Sequence, residues 1–170
     1  MKPTSPNTSG RSTQQDVVMT KPESAVKILN YFQQQWNYGP ESKVLEPCKG
    51  SGSFYDNMIG NKHWCEITEN KDFMDWKDPV DWIITNPPYS IYDIFLKKAM
   101  SVADNIVFFV PFSKLWKSKS NESMVNQYGG IRDLVYMGTG AQHGFPVGFV
   151  VGCVYFKKNY NGPIKYTRLL

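Results

Sequence analysis

Apolar residues along this chain fall into short blocks that alternate between strand-like runs and helix-like spacing. Met1 to Val17 are mostly Pro, Ser, Thr, Asn and Gln, which predicts a disordered N-terminal arm over residues 1–17. Thr20-Lys21-Pro22-Glu23 reads as a helix start, with Thr20 as N-cap and Glu23 three residues on as in a capping box. Val26, Ile28, Leu29 and Phe32 continue it at helical spacing towards Trp36, and Gly39-Pro40 ends it. Lys43 to Glu46 predicts a strand, Pro47 to Gly52 a tight loop, Phe54 to Ile59 a helix, and Lys62 to Ile67 a second strand. Asp72 to Trp76 is aromatic and of no clear period. Asp81 to Thr85 predicts a third strand, and Ile91 to Ala103 an amphipathic helix with Ile94, Phe95, Ala99 and Met100 on its apolar face. Asn105 to Val110 is a fully apolar strand ending at Pro111. From Phe112 to Gly130 the chain turns polar. Ile131 to Met137 and Val147 to Lys157 read as two strands around a Gly-rich loop, and residues 158–170 as a polar, basic tail.

The strand-loop-helix-strand alternation up to Val110 predicts an α/β fold, a parallel sheet with helices on its faces. The last two strands add an antiparallel hairpin. At 170 residues the expectation is one domain over 18–170, burying about 70% of its unfolded surface. A net charge of +4 is compatible with a nucleic-acid partner and equally with an ordinary surface. Three cysteines, Cys48, Cys65 and Cys153, lie far apart with no Cys-x-x-Cys pair, and His63 and His143 form no cluster. That argues for a reducing compartment and against a disulfide framework or a metal site. No apolar run reaches the ~18 residues of a membrane span, and no signal peptide opens the chain. The expectation is a soluble cytoplasmic protein with no membrane partner.

The most informative stretch is the apolar strand ending in Thr85 that runs into Asn86-Pro87-Pro88-Tyr89. A Pro pair cannot continue a sheet ladder, so the strand stops there. An amide, two carbonyls of fixed φ and an aromatic ring are left at the carboxyl end of a buried strand, where ligand crevices of open α/β sheets lie. Such a site suits a flat, amino-bearing group: the amide oxygen and a carbonyl accept from the amino group, and the ring stacks on its face. Earlier in the chain, Glu46-Pro47-Cys48-Lys49-Gly50-Ser51-Gly52 is an acidic strand end followed by a Gly-x-Gly loop. The two glycines let backbone approach a ligand. A dinucleotide fingerprint would need a third glycine where Tyr55 stands. Twenty residues beyond Glu46 a second strand ends at Cys65-Glu66-Ile67, where an acidic residue is placed to bind ribose hydroxyls.

The arrangement resembles the Asn-Pro-Pro-Tyr family of S-adenosylmethionine-dependent methyltransferases, most of them adenine-N6 methyltransferases of DNA. The resemblance spans residues 19–90. It implies a Rossmann-like class I methyltransferase sheet, mostly parallel with a C-terminal antiparallel hairpin, and S-adenosylmethionine as cofactor. It also implies that Thr20 and Lys21 close over the methionine moiety, that Glu46, Pro47, Cys48, Gly50 and Gly52 cradle it, and that Glu66 and Ile67 hold the ribose. Asp72 and Phe73 then serve the adenine, the carboxylate accepting from its amino group and the ring packing on it. Asn86 and the Pro87 carbonyl would accept from the target amino group, with Pro88 fixing the turn and Tyr89 stacking on a base flipped out of duplex DNA. For the second aromatic wall the family uses a late loop, where Phe145 in Gln142-His143-Gly144-Phe145-Pro146 is the candidate; packing beneath a Gly-Pro turn is its alternative. Lys114 and Lys117, with Lys119 around Trp116, would contact phosphates or form a solvated loop.

Only Ile67 to Lys71 separate Glu66 from Asp72, too few for the helix and strand that full-length relatives place there. The sheet is therefore expected to be reduced at one edge. No target-recognition domain is recognisable, so a homodimer, a separate recognition subunit or a relaxed substrate preference has to supply that role. Three alternatives stay open: N6 methylation of RNA adenine, N5 methylation of a protein glutamine, and a non-catalytic methyltransferase-like binding subunit.

Overall fold

The computed structural model describes residues 18–170 apart from Trp116 and Lys117. The arm expected over residues 1–17 and the phosphate contact expected of Lys117 lie outside the described residues. Among the described residues three α-helices, α1 (Pro22–Gln35), α2 (Tyr92–Val102) and α3 (Lys119–Tyr128), flank a sheet of seven strands. The strands are β1 (Lys43–Glu46), β2 (Asn61–Trp64), β3 (Val80–Thr85), β4 (Ala103–Pro111), β5 (Gly129–Thr139), β6 (Val150–Lys158) and β7 (Lys165–Arg168). Their order across the sheet is β2-β1-β3-β4-β6-β5-β7. β6 alone runs against the others, inserted between β4 and β5. The expected α/β architecture is therefore present, with the hairpin's second strand inside the sheet.

The central strands read as continuous apolar runs because both of their faces are covered. Val107 and Phe109 of β4, with Trp82 and Ile84 of β3, face Ile28, Leu29 and Phe32 of α1. Ile106, Phe108 and Val110 point the other way, with Phe95, Leu96 and Ala99 of α2. Carboxyl ends of β1, β3 and β4 converge on one edge of the sheet. β1 leads outwards to β2 and the chain then returns to β3, so the crevice between β1 and β3 is a topological switch point.

Several expectations are corrected. Thr20 is not an N-cap and no capping box forms there: Lys21 occupies the cap without a side-chain bond, and Pro22 stands in the first turn. Proline's preset φ starts the helix without that help, which leaves the Thr20 side chain for other work. Phe54 to Ile59 forms only a 3-10 turn, Tyr55–Asn57, because Gly60 arrives before a second turn can close. The second strand stops at Trp64, and Glu66 pairs back on Lys71 around the 3-10 turn Ile67–Glu69. β2 is thus the edge strand, and the reduction expected between Glu66 and Asp72 is accomplished by this one turn. Asp72 to Trp76 holds another 3-10 turn, Phe73–Asp75. Ile94 is 63% exposed and Met100 is half-buried; the inner face of α2 is Tyr92, Phe95, Leu96, Ala99 and Val102.

Two elements were not anticipated. The polar stretch after Phe112 contains α3, capped by Ser118 accepting from Asn121 N–H. The basic tail contains β7, which pairs in parallel with β5. A buried carboxylate ties β7 down: Asp133 of β5 accepts from Tyr31 Oη at 2.5 Å, Trp36 Nε1 at 2.9 Å and Thr167 Oγ1 at 3.1 Å. Thr167→Val removes the β7 member of this set. It is expected to cost about 1.5–3 kcal/mol, the usual worth of a hydrogen bond to a charged group. The check is a lower urea midpoint at unchanged slope.

Candidate active site

Residues from five segments enclose a cavity of about 290 Å³ at the carboxyl ends of β1 and β3. Thr20, Glu46, Pro47, Cys48, Gly50, Glu66, Ile67, Asp72, Phe73, Asn86, Pro87 and Pro88 all line it. Lys21, Gly52, Tyr89, Phe145 and Lys114 are not part of its lining; the last three group together.

Glu46 ends β1 and is 1% exposed. The Thr85 hydroxyl donates to its Oε1, and its Oε2 has no hydrogen-bond partner. Desolvation pushes this carboxyl well above the usual carboxylate range, against the pull of the Thr85 hydroxyl and the Cys48 N–H. An orphaned, buried carboxylate oxygen on a cavity wall is costly unless something cationic meets it. The loop that follows needs its glycines. Gly50 and Gly52 have φ of +52° and +91°, and a Cβ on Gly50 would stand 3.3 Å from Met19 Sδ.

Glu66 works on the same loop from the next strand end. Its Oε2 accepts from Gly50 N–H at 2.8 Å, and its Oε1 from the Thr68 hydroxyl and N–H at 2.8 and 3.1 Å. Desolvation acts to raise its pKa, but these donors and nearby Lys49 outweigh it and hold the carboxyl below its ordinary value. Asp72 accepts from Met74 N–H at 2.9 Å and so presents Phe73, whose ring lies 4.8 Å from that of Phe95.

Asn86 follows β3 directly. Its Nδ2 donates to the Val18 carbonyl at 2.9 Å and to Thr20 Oγ1 at 3.2 Å. A carbonyl can only accept, so the amide's orientation is settled: nitrogen towards residues 18–20, oxygen away from them. That oxygen accepts from Tyr89 Oη at 2.7 Å. Cys48 Sγ donates to the Asn86 carbonyl at 3.1 Å and joins the glycine loop to the Asn-Pro-Pro-Tyr turn. Burial raises the Cys48 thiol well above its ordinary value, so it serves as a donor rather than as a thiolate nucleophile.

Residues 18–21 form a strap across the cavity. Ser53 Oγ donates to the Thr20 carbonyl at 2.6 Å, and Lys21 Nζ to the Gln142 carbonyl at 3.0 Å. Ser24 Oγ and His143 Nδ1 are 2.7 Å apart, and His143 Nε2 lies 2.6 Å from the Met137 carbonyl, which requires the proton on Nε2. The strap thereby fixes the 140–145 loop and Phe145. The rings of Tyr89 and Phe145 face each other at 25° with centroids 6.3 Å apart, and Lys114 Nζ lies 5.5 Å from the Tyr89 centroid.

Sequence reasoning did not single out Val18, Met19, Ser53, Thr68 or Thr85. Thr85 had a signal: a hydroxyl at the inward end of an apolar strand, one residue before Asn86, must find a buried acceptor. Val18, Met19 and Ser53 had none, since they act through partners distant in sequence; Thr68 meets Glu66 only two residues away, but in a 3-10 turn where a strand was expected.

Among the described residues no helix is long and apolar enough to cross a membrane. No protein-family model and no curated protein matches the sequence. Solved structures do match in fold. A Listeria monocytogenes protein assigned to the class I S-adenosylmethionine-dependent methyltransferases superposes with a TM-score of 0.71 at 12% identity, over 94% of this chain and 68% of its own. A type I restriction-modification methyltransferase subunit from Streptococcus thermophilus gives 0.62 at 12% identity, over 90% of this chain and 47% of that one. Magnesium protoporphyrin IX methyltransferase from Synechocystis, solved with S-adenosylmethionine bound, gives 0.57 at 9% identity over 81% and 79%. This chain thus spans about half of the restriction-modification subunit. A sheet in this order, with its crevice at the β1/β3 switch point and these structures superposing on it, has the fold of the class I S-adenosylmethionine-dependent methyltransferases.

Proposed function

We propose that residues 18–170 form a methyltransferase domain that uses S-adenosylmethionine to methylate the N6 amino group of adenine in DNA. The observation that carries this reading is Asn86: an amide at the cavity wall, its nitrogen occupied by the strap and its oxygen turned to the Tyr89–Phe145 pair. The cofactor fits the cavity chemically. Glu46 Oε2 is a buried acceptor for its ammonium group, the glycine loop admits its methionine moiety, Glu66 stands at the ribose position, and Asp72 with Phe73 takes the adenine. When bound it supplies an electrophilic methyl group on a sulfonium.

The chain's own residues then have to make an amino group nucleophilic. The lone pair of adenine N6 is delocalised into the ring. Asn86 Oδ1 and the Pro87 carbonyl, accepting its two hydrogens, draw them out of the ring plane and localise that pair. Rate acceleration comes from this positioning and from charge stabilisation. Tyr89 and Phe145 are near-parallel with centroids 6.3 Å apart, and a base entering between them would part the rings to two stacking spacings of about 3.4 Å. Lys114 beside Tyr89 is placed for the phosphate of a flipped nucleotide. Target recognition would come from a second copy or from a separate subunit; the type I neighbour, itself a subunit, supports the latter.

Incubation with methyl-labelled cofactor and, in turn, duplex DNA, single-stranded DNA, RNA and a cell extract tests the reading. Digestion should yield N6-methyladenine from DNA. Label in RNA alone or in protein glutamine would replace it, and cofactor binding without any label would make the chain a binding subunit. Tyr89→Ala is expected to raise KM for DNA roughly 5- to 100-fold, the worth of one lost stacking platform. Tyr89→Phe keeps the ring and removes only the hydroxyl that competes for Asn86 Oδ1, so its KM should stay near wild type or fall. Steady-state kinetics on the two variants separate stacking from the hydroxyl's part.

A further inference from the structure

The loop that carries Phe145 also displays an apolar side chain that the proposed chemistry does not use. Residues 144–150 read Gly-Phe-Pro-Val-Gly-Phe-Val. Phe145 is buried, but Val147 is 87% exposed, and Phe149 and Val150 behind it are also exposed. Burying a valine is worth about 1.5–3 kcal/mol, and with Phe149 and Val150 it makes a group of exposed apolar side chains at one loop rather than a single scattered one.

The tip is built to hold its shape. Gly148 has φ +98°, a conformation that side-chain-bearing residues avoid, and this turns the chain sharply after Val147. Gly140 N–H donates to the Phe149 carbonyl at 2.7 Å and Phe145 N–H to the Gly140 carbonyl at 2.9 Å, closing the loop on itself. A Cβ on Gly140 would stand 2.8 Å from Phe145 Cβ, so the close return depends on that glycine. His143, bonded to Ser24 and to the Met137 carbonyl, anchors the base of the loop to α1 and β5. Val147 is thus presented by a braced turn.

Its place gives the partner's chemistry. Val147 is two residues from Phe145, so their Cα atoms lie within roughly 7 Å, and Phe145 faces Tyr89. On the reading that a base occupies the Tyr89–Phe145 slot, on which this inference rests, the gap left by that base in the duplex opens beside the same loop. Lys114 at Tyr89 supplies a cation on that side. Apolar wedges entering base steps are a recurrent device for unstacking duplex DNA. We propose that Val147 is such a wedge: it enters the base stack of a duplex beside the target adenine, fills the vacated space and holds the base out. Phe149 and Val150 back it as it enters.

A wedge matters only where there is a stack to open. Single-turnover methylation is therefore compared on a duplex, on the same strand alone, and on a duplex with an abasic position opposite the target adenine. Val147→Ser is expected to lower the duplex-to-single-strand rate ratio about tenfold or more, because flipping from an intact pair costs a few kcal/mol. The abasic position should restore most of that ratio, and Val147→Leu should keep it near wild type. A surface substitution of this kind changes stability little, and a thermal melt checks that. An unchanged ratio, or equal losses on duplex and single strand, would overturn the wedge while leaving the proposed reaction standing. So would light scattering that showed the wild-type particle halved in mass by Val147→Ser, since the tip would then join two copies of the chain. Wild-type protein that methylates no DNA in any form would overturn the reaction and the wedge together.

Discussion

Asn86→Ala is expected to slow the single-turnover methyl-transfer step by roughly two to three orders of magnitude, about 2.7–4 kcal/mol, the range seen when one preorganised polar group at a reaction centre is removed. On the proposed reading the amide oxygen acts on the target amino hydrogens, in a contact that gains strength only in the transition state. The same side chain also holds the strap through the Val18 carbonyl and Thr20 Oγ1. Cofactor affinity should therefore fall as well, by no more than about thirtyfold, because the two bonds are worth about 1 kcal/mol each and Ser53 still holds Thr20. Thr20→Val isolates the strap: it should reproduce part of the affinity loss and none of the large rate loss. Calorimetric titration with the cofactor beside single-turnover rates reads both quantities. An Asn86→Ala protein that kept its rate and lost its cofactor would make Asn86 a cofactor ligand, and the target base would have to be placed elsewhere.

Glu46→Ala should weaken cofactor binding by roughly thirtyfold to several thousandfold, the 2–5 kcal/mol typical of truncating one partner of a buried charged pair. The carboxylate is buried, has one oxygen without a partner, and lies on the cavity wall where an ammonium group is proposed to sit. Its pKa is raised by desolvation, so between the ordinary carboxylate value and the raised one the folded protein holds a proton that the unfolded chain does not. The linked contribution to stability is full below the ordinary value and is lost as pH rises through the raised one. Cofactor binding runs the opposite way. A cation favours the ionised carboxylate, so binding should expel the proton, and affinity should increase with pH across that window. Titrations in two buffers of different ionisation enthalpy should differ in heat by the proton released. Glu46→Gln should bind weakly and show neither the pH dependence nor the buffer dependence. If wild-type protein released no proton, Glu46 would be ionised before binding or would face something other than a cation.

What the sequence by itself determined are the features set by local chemistry. Two prolines end β3 wherever the chain goes, because they cannot donate to a ladder, and this puts Asn86 and Tyr89 at a strand's carboxyl end. Continuous apolar runs in β3 and β4 announce strands buried on both faces, and from them a parallel sheet follows. Glycines at 50 and 52 require a loop that turns through positive φ. These features were legible because each depends on residues adjacent in the chain. α3 was missed because only Met124, Val125 and Tyr128 turn an apolar stripe to the core, too short to stand out among polar neighbours, and its one buried residue is Asn121. β7 was missed because it is an exposed edge strand held by Thr167 to Asp133, a contact across 34 positions.

Only the tertiary structure decided how the pieces meet. Thr20 looked like a helix cap and is instead a ligand of Asn86, 66 residues away. Phe145 was readable as a core residue or as a wall; the fold buries it against Phe109 and also turns its ring to Tyr89, bracing its loop through Ser24 and His143, 119 residues apart. Glu66 has its carboxylate oriented by Gly50 and Thr68, so this acidic residue and the glycine loop form one hydrogen-bonded unit. Spacing along a chain sets backbone conformation, whereas these contacts depend on where distant segments are brought by burying the two faces of one sheet.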